Sequence, residues 1–131
     1  MNEQRSLFEE AEIIYSYSRA QAIADGVLID ASETAREAGV RFPVAVTAGL
    51  WHKYIVPDEA SALHCQSTEG RLWDTIWLFR HAAKNFTGDT LIFEVSFVMK
   101  GRKTTRAKLK AVCGPGDTHK PVITIMLPEE D

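Results

Sequence analysis

The stretch TLIFEVSFVMKGRKTTRAKLKAVC, residues 90–113, alternates apolar and polar side chains on both sides of one glycine. Residues i, i+2 and i+4 of a strand share a face. Leu91, Phe93, Val95, Phe97 and Met99 therefore line one face, and Ile92, Glu94, Ser96, Val98 and Lys100 the other. In the second run Thr105, Ala107, Leu109, Ala111 and Cys113 point one way, while Arg106, Lys108 and Lys110 point the other. A two-residue loop at Gly101-Arg102 would oppose odd positions to even ones and apolar to charged side chains. A three-residue loop over Gly101-Arg102-Lys103 keeps the apolar faces together, because a slip of one residue turns every side chain over. It pairs 99 with 105, 97 with 107, 95 with 109 and 93 with 111, and sets Glu94 opposite Lys110.

The same test reads the end of the chain. In PVITIML (121–127), Ile123, Ile125 and Leu127 share one face, and pairing 113 with 123 and 111 with 125 joins it to the preceding apolar face. The intervening GPGDTHKP supplies turn residues; it lacks the GK[ST] ending of a phosphate loop and no helix follows it. These runs predict a three-stranded antiparallel meander from about 90 to 127. One face is covered and the other carries the Lys/Arg ladder.

The cover is a helix from about Ser67 to Phe86. At about 100° per residue, Leu72, Ile76, Phe79, Ala83 and Phe86 form one stripe, a core-facing pattern. Trp73 and Trp77 form a second lane beside Arg80 and Lys84. Either the N-terminal half covers that lane or a partner does. That half reads as short pieces. Ser18 and Gly26 bracket a helix, VLID (27–30) is a brief strand, Asp30 or Ser32 caps a helix ended by Gly39, FPVAVT (42–47) is extended, and Thr47 caps a helix ahead of Pro57. The fold class is α+β: a meander on one long amphipathic helix, with short helices and brief strands before it, in a single domain over 1–131.

Composition excludes several classes. With 131 residues and 45% hydrophobic content the chain can bury a core without disulfides or a metal. Its net charge of -3 gives no general attraction to nucleic acid or anionic membrane. Cys65 and Cys113 are isolated, and His52, His64, His81 and His119 have no metal-ligand spacing, so neither a metal nor another cofactor is expected. MNEQRSLFEEAEI is too polar and acidic for a signal peptide, and no apolar run approaches the ~20 residues of a membrane span; a cytoplasmic setting is expected.

Candidate chemistry is sparse. His64 and Cys65 are neighbours whose side chains diverge in any regular element, Cys113 falls on the predicted core face, and no catalytic residue stands out. Glu129-Glu130-Asp131 reads as a frayed acidic tail. The Trp73, Trp77, Arg80 and Lys84 lane is a candidate protein-binding surface, since Trp beside Arg is a common hot-spot pairing. Arg106, Lys108 and Lys110, with Lys100, Arg102 and Lys103 near the turn, would face an acidic partner or a nucleic acid. No aromatic residues interleave with these cations, and exposed lysines also protect sheets from aggregation.

The segments YSYSRAQAIADGVLIDASETAREAGVRFPVAVTAGLW (15–51) and CGPGD…KPVITIMLPEED (113–131) resemble a family of small uncharacterised bacterial proteins, often encoded on plasmids, integrated conjugative elements and prophages. The resemblance spans nearly the whole chain. It implies a cytoplasmic, mobile-element setting and brings no catalytic residues. The reading that results is a non-enzymatic accessory or regulatory protein that binds a macromolecule, a protein or its own copy. The alternative is a small enzyme acting on a nucleotide or nucleic acid through a polar cleft near residues 19–30, with Arg19, Gln21, Asp25 and Asp30 converging.

Overall fold

Local signals set most of the boundaries in the computed structural model, which describes residues 17–62, 66–99 and 103–130. Ser18 accepts the Gln21 N–H at 3.0 Å and opens α1 (Arg19–Ala24). Gly26 ends it at φ 77°, a left-handed conformation that glycine adopts without a Cβ penalty. Next come β1 (Leu28–Asp30), α2 (Ser32–Glu37) and β2 (Val44–Thr47). The Thr47 hydroxyl accepts the Leu50 N–H at 3.2 Å and starts α3 (Ala48–Leu50), which widens into a π-helical turn over Trp51–Ile55. α4 (Glu59–Ala62) precedes α5 (Thr68–Ala83), capped by Ser67. β3 (Thr90–Met99), β4 (Lys103–Pro115) and β5 (Pro121–Met126) complete the elements among the described residues.

The sheet has five strands in the order β1-β2-β5-β4-β3, which corrects the three-stranded meander. The two brief extended pieces belong to the same sheet. β2 runs parallel to β5, Val44 beside Ile123 and Val46 beside Ile125, and β1 runs antiparallel to β2. The signal for this was the unbroken apolar run of β2, whose Val44, Ala45 and Val46 are all buried, as a strand covered on both faces requires. No local pattern names the partner of such a run.

The β4–β5 register is the predicted one, Cys113 with Ile123 and Ala111 with Ile125. The β3–β4 register differs: Met99 pairs with Lys103, Phe97 with Thr105, Val95 with Ala107 and Phe93 with Leu109. The connection is therefore residues 100–102, one position earlier than expected. A slip of two preserves every face, so alternation alone cannot distinguish the registers. Glu94 consequently lies opposite Lys108, not Lys110, and its carboxylate is 3.6 Å from Arg106.

Phe93, Val95, Leu109, Ile123 and Ile125 form the buried floor, and Leu72, Ile76 and Phe79 of α5 close it with Leu50, Ile55, Ala35 of α2 and the flanking Ala31 and Ala38. Two expected core members lie elsewhere. Phe86 follows the end of α5 and is 43% exposed, and Cys113 is exposed near the end of its strand. The buried arc of α5 is rotated toward Arg71 and Thr75, both buried. Among the described residues no helix is long and apolar enough to cross a membrane.

Candidate functional site

α5 divides its apolar lanes between two surroundings. Trp73 is partly buried against the core, whereas Trp77 is 38% and Leu78 39% exposed. The two indoles stack with centroids 6.0 Å apart, and Trp77 meets the His81 ring edge-on at 4.8 Å. The Arg80 guanidinium lies 5.6 Å from the Trp77 ring centroid, a cation–π contact. On its other side Arg80 crosses the backbone of Gly39, where a Cβ would come within 3.1 Å of Nε. Gly39 thus gives α2 its left-handed end, at φ 92°, and leaves room for the arginine. Lys84 ends the helix and is exposed.

Beside this arc an apolar groove runs along the C-terminal end of α5, with Phe42 (46% exposed) between two hollows. One, of about 250 Å³, lies between Phe42, Phe86 and the sheet at Ala111 and Cys113. The other, of about 500 Å³, is bordered by Arg41, Arg80 and Lys84. Phe79, Ala83 and Ile123 line both.

The ladder on the opposite sheet face is not uniform. Arg106 and Lys108 are exposed, and Arg106 is paired with Glu94. Lys110 is half-buried and donates to the backbone carbonyl of Glu130. That contact corrects the frayed tail. The Glu130 carboxylate accepts from the Thr47 hydroxyl at 2.5 Å and from Leu127 N–H at 3.2 Å. Lys100 and Arg102 lie outside the described residues, as do His64 and Cys65.

The cleft near residues 19–30 exists as a cavity of about 460 Å³ between α1 and the sheet. Of the residues expected to converge there, Arg19 lines it. Its guanidinium donates to Thr124 Oγ1 and to the Ile123 carbonyl, both at 2.7 Å, and burial lowers its pKa while Asp30 and Asp117 oppose that shift. Gln21 is exposed. Asp25 accepts from the Tyr17 hydroxyl, which raises the Tyr17 pKa. Asp30 accepts from the Ser32 N–H at 3.1 Å and hydroxyl at 2.7 Å. The turn residue Asp117 accepts the N–H groups of Ala20, at 3.0 Å, and Arg19, at 2.8 Å, which hold its pKa below the usual carboxylate value. Gly114 and Pro115 thus end β4, paired with Val122 and Pro121, and the hairpin turn is residues 116–120, whose Asp117 also caps α1.

Arg71 was not foreseen. It is 2% exposed and donates to the Tyr54 carbonyl at 2.8 Å and to the Val98 carbonyl, joining the π-helical turn, α5 and the end of β3. The available clue was its place on the helical wheel, beside Thr75 on the edge of the apolar stripe.

The arrangement defines a mixed α+β protein whose long helix shows solvent an aromatic and cationic surface. Among the described residues there is no His/Cys/Asp/Glu group that could hold a metal ion. The chain belongs to the family of unknown function DUF6573, whose profile matches residues 1–131. No curated protein and no solved structure matches it.

Proposed function

We propose that this is a non-enzymatic accessory or regulatory protein of a mobile genetic element, acting in the cytoplasm by binding a protein partner or a second copy through the outer arc of α5. The mobile-element part rests on the resemblance carried by residues 15–51 and 113–131, and the neighbouring genes test it. The binding part is supported by one observation above the rest. Trp77 and Leu78 are more than a third exposed on a helix whose opposite arc is held in the core, with Arg80 and Lys84 beside them. Exposed Trp flanked by Arg and a charged rim is the composition of binding hot spots. The cavity beneath α1 supports the enzyme reading less well, because the arginine that lines it already bonds the sheet.

The test is affinity capture from the native host with mass spectrometry, comparing wild type with Trp77→Ala and Leu78→Ser. The expected result is a captured macromolecule lost in both variants, with circular dichroism and melting behaviour retained. Variants that simply unfold would show that Trp77 and Leu78 are structural, and the reading would fail. For the ladder, Arg106→Glu with Lys108→Glu at low salt is the matching test, and unchanged capture would remove the sheet face from the site.

A further inference from the structure

We infer that the groove on either side of Phe42 is the anchor site for an acidic segment of a protein partner. In this arrangement one aromatic or branched aliphatic side chain seats beside Phe42, and neighbouring carboxylates meet Arg41, Arg80 and Lys84. The inference rests on reading the adjacent α5 arc as a partner surface, and it names what that partner presents.

Three observations carry it. The first is concavity. The hollows of about 250 and 500 Å³ share Phe79, Ala83 and Ile123 as an apolar lining, and Phe42 and Phe86 stand beside them 46% and 43% exposed. Such hollows take single apolar side chains, and the anchors of protein interfaces are buried in this way.

The second is charge. The chain carries a net charge of -3, yet the larger hollow is bordered by Arg41, Arg80 and Lys84, with no carboxylate among the described residues that line it. Among the described residues Asp89 is the one acidic residue lining either hollow, and it borders only the smaller. Three like charges around a low-polarity floor are brought into balance by an anionic occupant, and focus its approach.

The third is availability. Arg19, Arg71 and Lys110 hold backbone carbonyls, and Arg106 holds Glu94. Among the described residues Arg41 and Lys84 have no side-chain partner, and Arg80 meets only the Trp77 face and the Gly39 backbone. A polynucleotide fits less well, because tracking phosphates takes a longer row of cations, and an extended bilayer cannot enter a groove.

Cys113 lines the smaller hollow and is exposed, so it reports occupancy directly. In a Cys65→Ser protein, the rate at which the Cys113 thiol reacts with an aromatic disulfide reagent is measured with and without peptides. The peptides come from a random display library, selected on wild type and counter-selected on a Phe42→Ser, Lys84→Glu variant. The expected result is peptides that place Asp or Glu next to Phe, Leu or Ile and slow Cys113 modification several-fold. They should lose binding when their apolar residue becomes Ala, or when Arg41 becomes Glu. No enrichment, enrichment of peptides without acidic residues, or binding that leaves Cys113 reactivity unchanged overturns the inference. So does tighter competition by a single-stranded oligonucleotide or by phosphatidylglycerol vesicles. If capture of the native partner needs Trp77 but is indifferent to Phe42 and Arg41, this inference fails and the proposed function stands. If the peptides behave as expected while capture is indifferent to Trp77, the proposed function fails instead.

Discussion

Arg71→Met removes the guanidinium while keeping most of its aliphatic length. Two carbonyls, of Tyr54 in the π-helical turn and Val98 at the end of β3, lose their donor, and both elements lie around a side chain 2% exposed. A hydrogen bond from a charged donor contributes ~1.5–3 kcal/mol, so two contribute about 3–6 kcal/mol. Against this stands the cost of burying a cation; burial is the main cause of Arg71's lowered pKa, and Met relieves it. Allowing ~1–2 kcal/mol for that relief, the net loss is about 3 kcal/mol. Urea denaturation followed by tryptophan fluorescence measures it directly. With a slope of about 2 kcal/mol/M the midpoint should fall by about 1.5 M at unchanged slope. Arg71→Lys should recover part of the loss, since one ammonium cannot reach carbonyls on two elements as the planar fork does. A loss below about 1 kcal/mol for Arg71→Met would refute the claim that this arginine pins the helix to the sheet edge. Arg80→Met, on the exposed arc, serves as the reference; it removes only the cation–π contact with Trp77 and should change stability by about 1 kcal/mol or less.

Gly49→Ala should reverse sign with context. A Cβ there would lie 2.0 Å from Glu130 Oε1, so the substitution breaks the carboxylate's hold on Thr47 and should destabilise by about 1 kcal/mol. In a Glu130→Ala background the same change should be neutral or stabilising by up to about 1 kcal/mol, because Ala is the better helix former; a double-mutant cycle reads the coupling. Gly39→Ala should destabilise by about 1 kcal/mol or more in thermal unfolding, since it strains φ 92° and crowds Arg80. Asp117 has a folded-state pKa below its ordinary value, through the Ala20 and Arg19 N–H groups. Its contribution is therefore present at neutral pH and lost as pH falls through that depressed value. Asp117→Asn should lower stability at neutral pH and flatten the acid limb of the unfolding midpoint. Asp58, held low by the Ser61 hydroxyl, sustains a residual slope in that variant.

The parts of the fold that could be read in advance are those fixed by a residue and its near neighbours. Ser18, Gly26, Gly39, Thr47 and Ser67 each mark a helix end by satisfying or releasing backbone groups within about one turn, and all five do so here. The faces of β3 and β4 follow from alternation alone, and so does the outward direction of Lys108. What escaped was settled between segments distant in the chain. The parallel pairing of β2 with β5 joins residues 44–46 to 123–125, and β-branched residues fit many partners equally well. Arg71 and Glu130 escaped for a related reason. A charged side chain reads as solvated until tertiary structure places carbonyls or hydroxyls around it. The candidate surfaces were legible as residue types on a helix wheel, but the Phe42 groove was not, because it needs the loop before β2 and the end of α5 together.

The distribution of positive charge gives a physical criterion for where a partner can act. A cation already held by carbonyls or carboxylates must break those contacts before it can meet a ligand, and each contact to a charged group lost that way subtracts about 1.5–3 kcal/mol from binding. Arg19, Arg71 and Lys110 are in that position. Among the described residues Arg41 and Lys84 have no such contact, and Arg80 sits on an aromatic face worth about 0.5–1 kcal/mol at an exposed site, which a carboxylate can share without displacing it. Electrostatic recognition should therefore concentrate at the C-terminal end of α5 in preference to the sheet ladder, although the ladder is the more conspicuous run of cations in the chain. There Phe42, Phe86 and Trp77 add exposed apolar area within reach of the same cations, so one ligand segment can use both forces at once. On the ladder face Arg106 and Lys108 offer charge with little to bury beside them except Ile92, which is 51% exposed. A ligand held by charge alone weakens steeply with salt, whereas one that also buries an apolar anchor retains part of its affinity. Titrating a selected peptide across ionic strength consequently distinguishes the two surfaces: partial retention places it in the groove, and complete loss places it on the sheet.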